Sequence, residues 1–159
     1  MRTGAKDRLV IDWRSGQNTD AKFLERLSKP SITVDSKLVN VTVKAIGAKG
    51  AKISPNFRGL GISSNTCQQV DDGEAFEISF DRDVLVESAA IVAGNGVCGG
   101  FYQVGDKAPL AIYCVDADND AKTQEGIVSD IGLVKKGEVL RLDSSPHFGV
   151  EAAGRWRLG

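Results

Sequence analysis

Between Gly59 and Phe80 the chain runs through a glycine-punctuated turn, GLGISS, an acidic turn, VDDGE, and an alternating run, AFEISF. The last of these sets Phe76, Ile78 and Phe80 on one face and Glu77 and Ser79 on the other. That period of two belongs to a half-buried β-strand, not to a helix. The same grammar recurs along most of the chain. Ile32 and Val34 alternate with polar neighbours, and Val39, Val41, Val43 and Ala45 oppose Asn40, Thr42 and Lys44. Further strands are expected in VLVESAAIVA (84–93), PLAIYCV (109–115), EVLRLD (138–143) and RWRL (155–158). Between the runs lie turn signals: Gly47 to Gly50, Asp71-Asp72-Gly73, Gly94-Asn95-Gly96, Gly99-Gly100, Gly105-Asp106 and Lys135 to Gly137. Short alternating strands joined by such turns predict an all-β fold, an antiparallel β-sandwich or jelly roll.

One helix is expected ahead of the strands. NTDAKFLERLSKP opens on the cap-competent Asn18, Thr19 and Asp20, gathers Phe23, Leu24 and Leu27 on one face, and stops before Pro30. RLVIDW, further upstream, reads as an edge strand. The expected organisation is an N-terminal extension over residues 1–30, carrying the short helix, and a sandwich domain over 31–159. At 159 residues the chain suits one domain with a core of its own.

Charge is unevenly placed. Residues 1–60 carry 12 Lys/Arg against 5 Asp/Glu, and the remainder carries 8 against 16. The basic residues are scattered rather than clustered, which favours two mutually attracting faces of one domain over a nucleic-acid surface. No apolar run approaches the roughly 20 residues of a membrane-spanning helix. MRTGAKDRLVIDWRSG lacks the apolar stretch of a signal peptide. An extracellular or periplasmic location therefore expects a leader removed upstream of Met1, and a cytoplasmic one expects none.

Three cysteines, Cys67, Cys98 and Cys114, form no CxxC and have no neighbouring histidine, which argues against zinc. Cys98 and Cys114 flank an expected hairpin, so they are either a cross-strand disulfide in an oxidising compartment or buried thiols.

Chemistry-bearing candidates are few. Asp116, Asp118 and Asp120 alternate in a predicted loop and, with Glu125, present carboxylates that suit a hard cation such as Ca²⁺. The spacing is not that of an EF-hand, because Ala121 and Ile127 stand where Gly and Glu are required; a solvated acidic loop is the competing reading. Phe101 and Tyr102 follow a Gly-Gly pair and are expected at a loop, where exposed rings would stack on sugar C–H faces; packing into the core is the competing reading. His147 is the one histidine, and its closeness in sequence to Asp143 and Ser145 is not how a catalytic triad is assembled. GAKGAK lacks the ending of a phosphate-binding loop, and Gly59-Leu60-Gly61 lacks the third glycine of a dinucleotide fingerprint.

From about residue 39 onward, VNVTVKAIG, RGLGISS, VDDGEAFEISFDRDVLVESAAIV, VDADND, VLRLD and GRWRL together resemble a β-sandwich domain of secreted bacterial proteins. That family often carries a C-terminal PEP-CTERM sorting tail. The resemblance implies an exported, non-catalytic module associated with the cell surface or an exopolysaccharide matrix. The function expected is thus binding of polysaccharide or of a cell-surface partner, with calcium as a structural ion. The alternatives are a self-assembly module docking through edge strands or the basic N-terminal segment, and, ranked lower, a small polysaccharide-acting hydrolase or lyase.

Overall fold

The computed structural model describes residues 31–35, 39–47, 51–56, 59–62, 70, 74–93, 99–113, 124–144 and 157–158. They form strands β1 (Ser31–Asp35), β2 (Asn40–Ile46), β3 (Ile53–Asn56), β4 (Gly59–Ile62), β5 (Ala75–Phe80) and β6 (Val84–Ala93). β7 (Gly99–Val104), β8 (Leu110–Tyr113), β9 (Gln124–Val134), β10 (Leu140–Asp143) and β11 (Arg157–Leu158) follow. One sheet has the order β1-β2-β5-β10-β7-β8 and the other β3-β4-β11-β6-β9. Each paired strand runs antiparallel to its neighbour. This is the all-β sandwich that the alternation predicts. The expected helix, the strand RLVIDW and the rest of residues 1–30 lie outside the described residues.

The two sheets share one core. Val41, Val43, Phe76, Ile112, Leu140 and Leu142 point inward from the six-stranded sheet and meet Ile53, Ile62, Ile91, Val128 and Val134 from the other. Burying one such side chain fully contributes roughly 1.5–3 kcal/mol. The sandwich therefore rests on the inward positions of β2, β5 and β10 more than on any loop.

Four segments depart from the expectation. Gly59–Ile62, read as turn chemistry, is strand β4, paired with β3 from Ile53↔Ile62 to Asn56↔Gly59. Phe101 and Tyr102, expected at a loop, lie within β7. Ile53–Asn56 and Gln124–Val134 carry no clean alternation and were not expected as strands. In β9 the reason is a bulge. Val86 pairs with Gly132 and Ser88 with Ser129, so Glu87 faces both Asp130 and Ile131. Asp130 takes a left-handed backbone there, φ 55°, a conformation that aspartate tolerates better than most residues. Val128, Ile131 and Val134 pack against the core three residues apart, which hides the period of two.

Connections at one end of the sandwich are tied to each other. Lys107 N donates to Val104 O (3.0 Å) around Gly105, and Glu138 N donates to Lys135 O (2.9 Å) around Gly137. Asp81 Oδ1 accepts from Asn40 N at 3.0 Å, and Asp83 Oδ1 accepts from Lys136 N at 2.9 Å. At the opposite end, Ser144 donates from both N and Oγ to the carbonyl of Glu74, at 3.3 and 3.2 Å. These bonds extend the β5–β10 ladder by one step.

Candidate binding face

The inward set of the six-stranded sheet dictates its outward set. With Val43 and Ala45 buried, Lys44 points out; with Phe76 and Ile78 buried, so does Glu77; with Leu140 and Leu142 buried, so does Arg141. Register then lines these residues up. Lys44 pairs with Glu77, Glu77 with Arg141, and Arg141 with Gln103. A row of four polar side chains thus crosses β2, β5, β10 and β7. Strands lie about 4.8 Å apart, so the row spans roughly 14 Å.

Its centre is held by an ion pair. Arg141 Nε donates to Asp143 Oδ2 at 3.0 Å, and Nη2 lies 3.0 Å from the same oxygen. Nη1 stands 3.9 Å from Glu77 Oε1, beyond hydrogen-bond range, so its two N–H groups are not engaged by that carboxylate. The Asp143 side chain is only 6% exposed, whereas those of Arg141 and Glu77 are 33% and 29% exposed. A buried carboxylate therefore anchors an accessible guanidinium. Gln103 Nε2 donates to Lys107 O at 3.0 Å, which fixes that carboxamide against the β7–β8 turn. Lys44 is exposed at the far end of the row.

One step along the strands, Ile46, Ala75, Asp143, Phe101 and Ala111 form the neighbouring row. It is withdrawn from solvent: Ala75 and Asp143 are buried, and Ile46, Phe101 and Ala111 are half-buried. Of the two aromatic candidates, Phe101 belongs to this outer face, beside Asp143. Tyr102 pairs with the buried Leu142 and packs against the core. β7 separates them because consecutive strand residues face opposite ways.

The carboxylates Asp116, Asp118 and Asp120 lie outside the described residues, as do Cys67, Cys98, Cys114 and His147. Glu125 sits in β9, its backbone paired with Val92. Among the described residues, no three His, Cys, Asp or Glu side chains gather as a metal site. No described helix is long and apolar enough to cross a membrane.

A different surface feature lies on the other sheet. Leu85 and Leu133 pair directly across β6 and β9 and are 63% and 43% exposed. Neither they nor the polar row stood out in sequence. Each row member is simply the polar partner in an ordinary alternating strand, and only register brings the four together.

Comparison with family models, curated proteins and solved structures found no match to this chain.

Proposed function

We propose that the protein is a non-catalytic glycan-binding module that holds a polysaccharide on the outer face of its six-stranded sheet. The observation carrying this reading is the row Lys44–Glu77–Arg141–Gln103, with its guanidinium anchored by the buried Asp143. Sugar hydroxyls both donate and accept, and this row offers cationic and amide donors beside a carboxylate acceptor. Phe101, half-buried in the adjoining row, adds an apolar edge against which a sugar ring can rest. The resemblance to secreted bacterial sandwich domains supports the same reading and an exported location. Calcium held by Asp116, Asp118, Asp120 and Glu125 belongs to it as a structural ion, tested by a rise in Tm on adding Ca²⁺ and a fall with chelator.

Affinity gel electrophoresis against a polysaccharide panel tests the function. At least one polymer retards the protein, and Arg141→Ala and Lys44→Ala weaken the retardation. Lys44→Ala leaves the melting temperature unchanged. No retardation by any polymer at high protein concentration contradicts the reading.

A second reading, docking onto another protein or a second copy, is favoured by the exposed pair Leu85 and Leu133. Large apolar side chains grouped on a surface mark interaction sites more often than scattered ones do. Light scattering tests it: an assembly that dissociates in Leu85→Lys supports docking between copies, and a monomer at all concentrations removes that form of it.

A further inference from the structure

We infer that the ligand of the outer face is an uncharged, hydroxyl-rich polysaccharide and not a uronate or sulfated polymer. This rests on the reading of that face as a glycan site. Signs alternate along the row: Lys44 is positive, Glu77 negative and Arg141 positive, with the negative Asp143 tied to Arg141. The four formal charges cancel. An anionic chain laid across the strands meets Glu77 between the two cations, at the ordinary inter-strand spacing from each. Attraction at Lys44 or Arg141 is therefore opposed by repulsion at Glu77, over distances too short for salt to screen one without the other. A hydroxyl suffers no such conflict, because it donates to Glu77 and accepts from Lys44, Arg141 or Gln103.

The anchoring of Arg141 points the same way. Asp143 neutralises the guanidinium and holds it before any ligand arrives. The arginine then acts as a positioned set of hydrogen-bond donors more than as a free positive charge. Asp143 occupies the Nε/Nη2 edge of the guanidinium, one of the edges on which a carboxylate or sulfate would otherwise be held in bidentate fashion. Asp143 is thus a positioning residue for the row.

Affinity gels that contain neutral glucans, mannans or xylans, or else the uronate polymer alginate, separate the alternatives at about 0.05 and about 0.5 M salt. Wild type is retarded by at least one neutral polymer equally at both salt levels and not by alginate. Glu77→Gln, which leaves the row with a net positive charge, gains alginate retardation that vanishes at high salt. The same variant loses part of its retardation by the neutral polymer. Lys44→Ala, which leaves the row negative, weakens the neutral interaction with no gain on alginate. Thermal unfolding of each variant confirms that the fold is intact.

Stronger retardation of wild type by alginate than by any neutral polymer, lost at high salt and in Arg141→Ala, overturns the inference and leaves the face a glycan site. Glu77→Gln without a gain on alginate also overturns it. Absence of retardation by every polymer instead overturns the glycan-site reading itself.

Discussion

Arg141 donates from Nε to Asp143 Oδ2 at 3.0 Å, and its Nη2 stands 3.0 Å from the same oxygen. The two residues sit two positions apart on β10, so both side chains leave the same face of the sheet. The carboxylate is buried and the guanidinium reaches solvent. Asp143→Ala removes the acceptor and leaves a partly buried cation without its partner. The expected loss is roughly 1–3 kcal/mol. For a chain of this size that lowers Tm by about 2–4 °C per kcal/mol. Asp143→Asn keeps an acceptor oxygen and loses less. Thermal denaturation of the two variants beside wild type checks the order.

Gly100 and Gly137 separate two reasons for requiring glycine. A Cβ on Gly100 would stand 1.9 Å from the carbonyl oxygen of Asp143, and the backbone there has φ 149°. Gly137 has φ 80° at the third position of its turn, with nothing within 4 Å of the added carbon. Gly100→Ala therefore forces β7 away from β10 and costs about 3 kcal/mol or more. Gly137→Ala carries backbone strain alone, about 1 kcal/mol. Urea titration of both variants reads the difference as a shift in midpoint at constant slope.

Three leucines give the same contrast for packing. Leu142 is fully buried between Phe76 and Tyr102 in the sheet register, whereas Leu85 and Leu133 are largely in solvent. Leu142→Ala is expected to cost about 2–5 kcal/mol. Leu85→Ala should stay within about 0.5 kcal/mol of wild type. Equal losses at both positions would place the core wrongly.

The β7–β8 ladder ends on the pair Gly99↔Tyr113. Cys98 precedes the first of these residues and Cys114 follows the second. A bridge between these two cysteines is the prediction for protein matured under oxidising conditions. Peptide mapping without reduction should recover Cys98 joined to Cys114 and leave Cys67 free to alkylate. Closing a loop of this length contributes about 3 kcal/mol in the chain-entropy account. Reduction should lower Tm accordingly. Alkylation of all three cysteines in the oxidised, unfolded protein would rule the bridge out.

Much of the scaffold was legible in the sequence because regular strands with one buried face announce themselves. β2 and β5 each keep a strict period over most of their length, and the expected 84–93 coincides with β6, whose core-facing residues change parity between Val86 and Ala89. Elsewhere the period is broken by features that carry structure of their own. Glycines open β4 and β7, where a turn was expected. Around the Asp130 bulge the core-packed residues Val128, Ile131 and Val134 fall three apart, so GIVSDIGLV reads as neither strand nor helix. The polar row of the six-stranded sheet was not legible for a different reason. Lys44, Glu77, Gln103 and Arg141 each occupy the polar position of a separate strand, and alternation says only that each points outward. Their meeting depends on strand order β2-β5-β10-β7 and on register, both set by long-range pairing.

That the face of β2, β5, β10 and β7 is the binding surface is tested most directly by titrating isotope-labelled protein with a neutral oligosaccharide and mapping amide chemical-shift changes. The shifts should concentrate at Lys44, Glu77, Arg141, Gln103 and Phe101. Leu85 and Leu133, on the opposite sheet, should stay unmoved. Saturable shifts centred on Leu85 and Leu133, or no shifts from any neutral oligosaccharide, would contradict it.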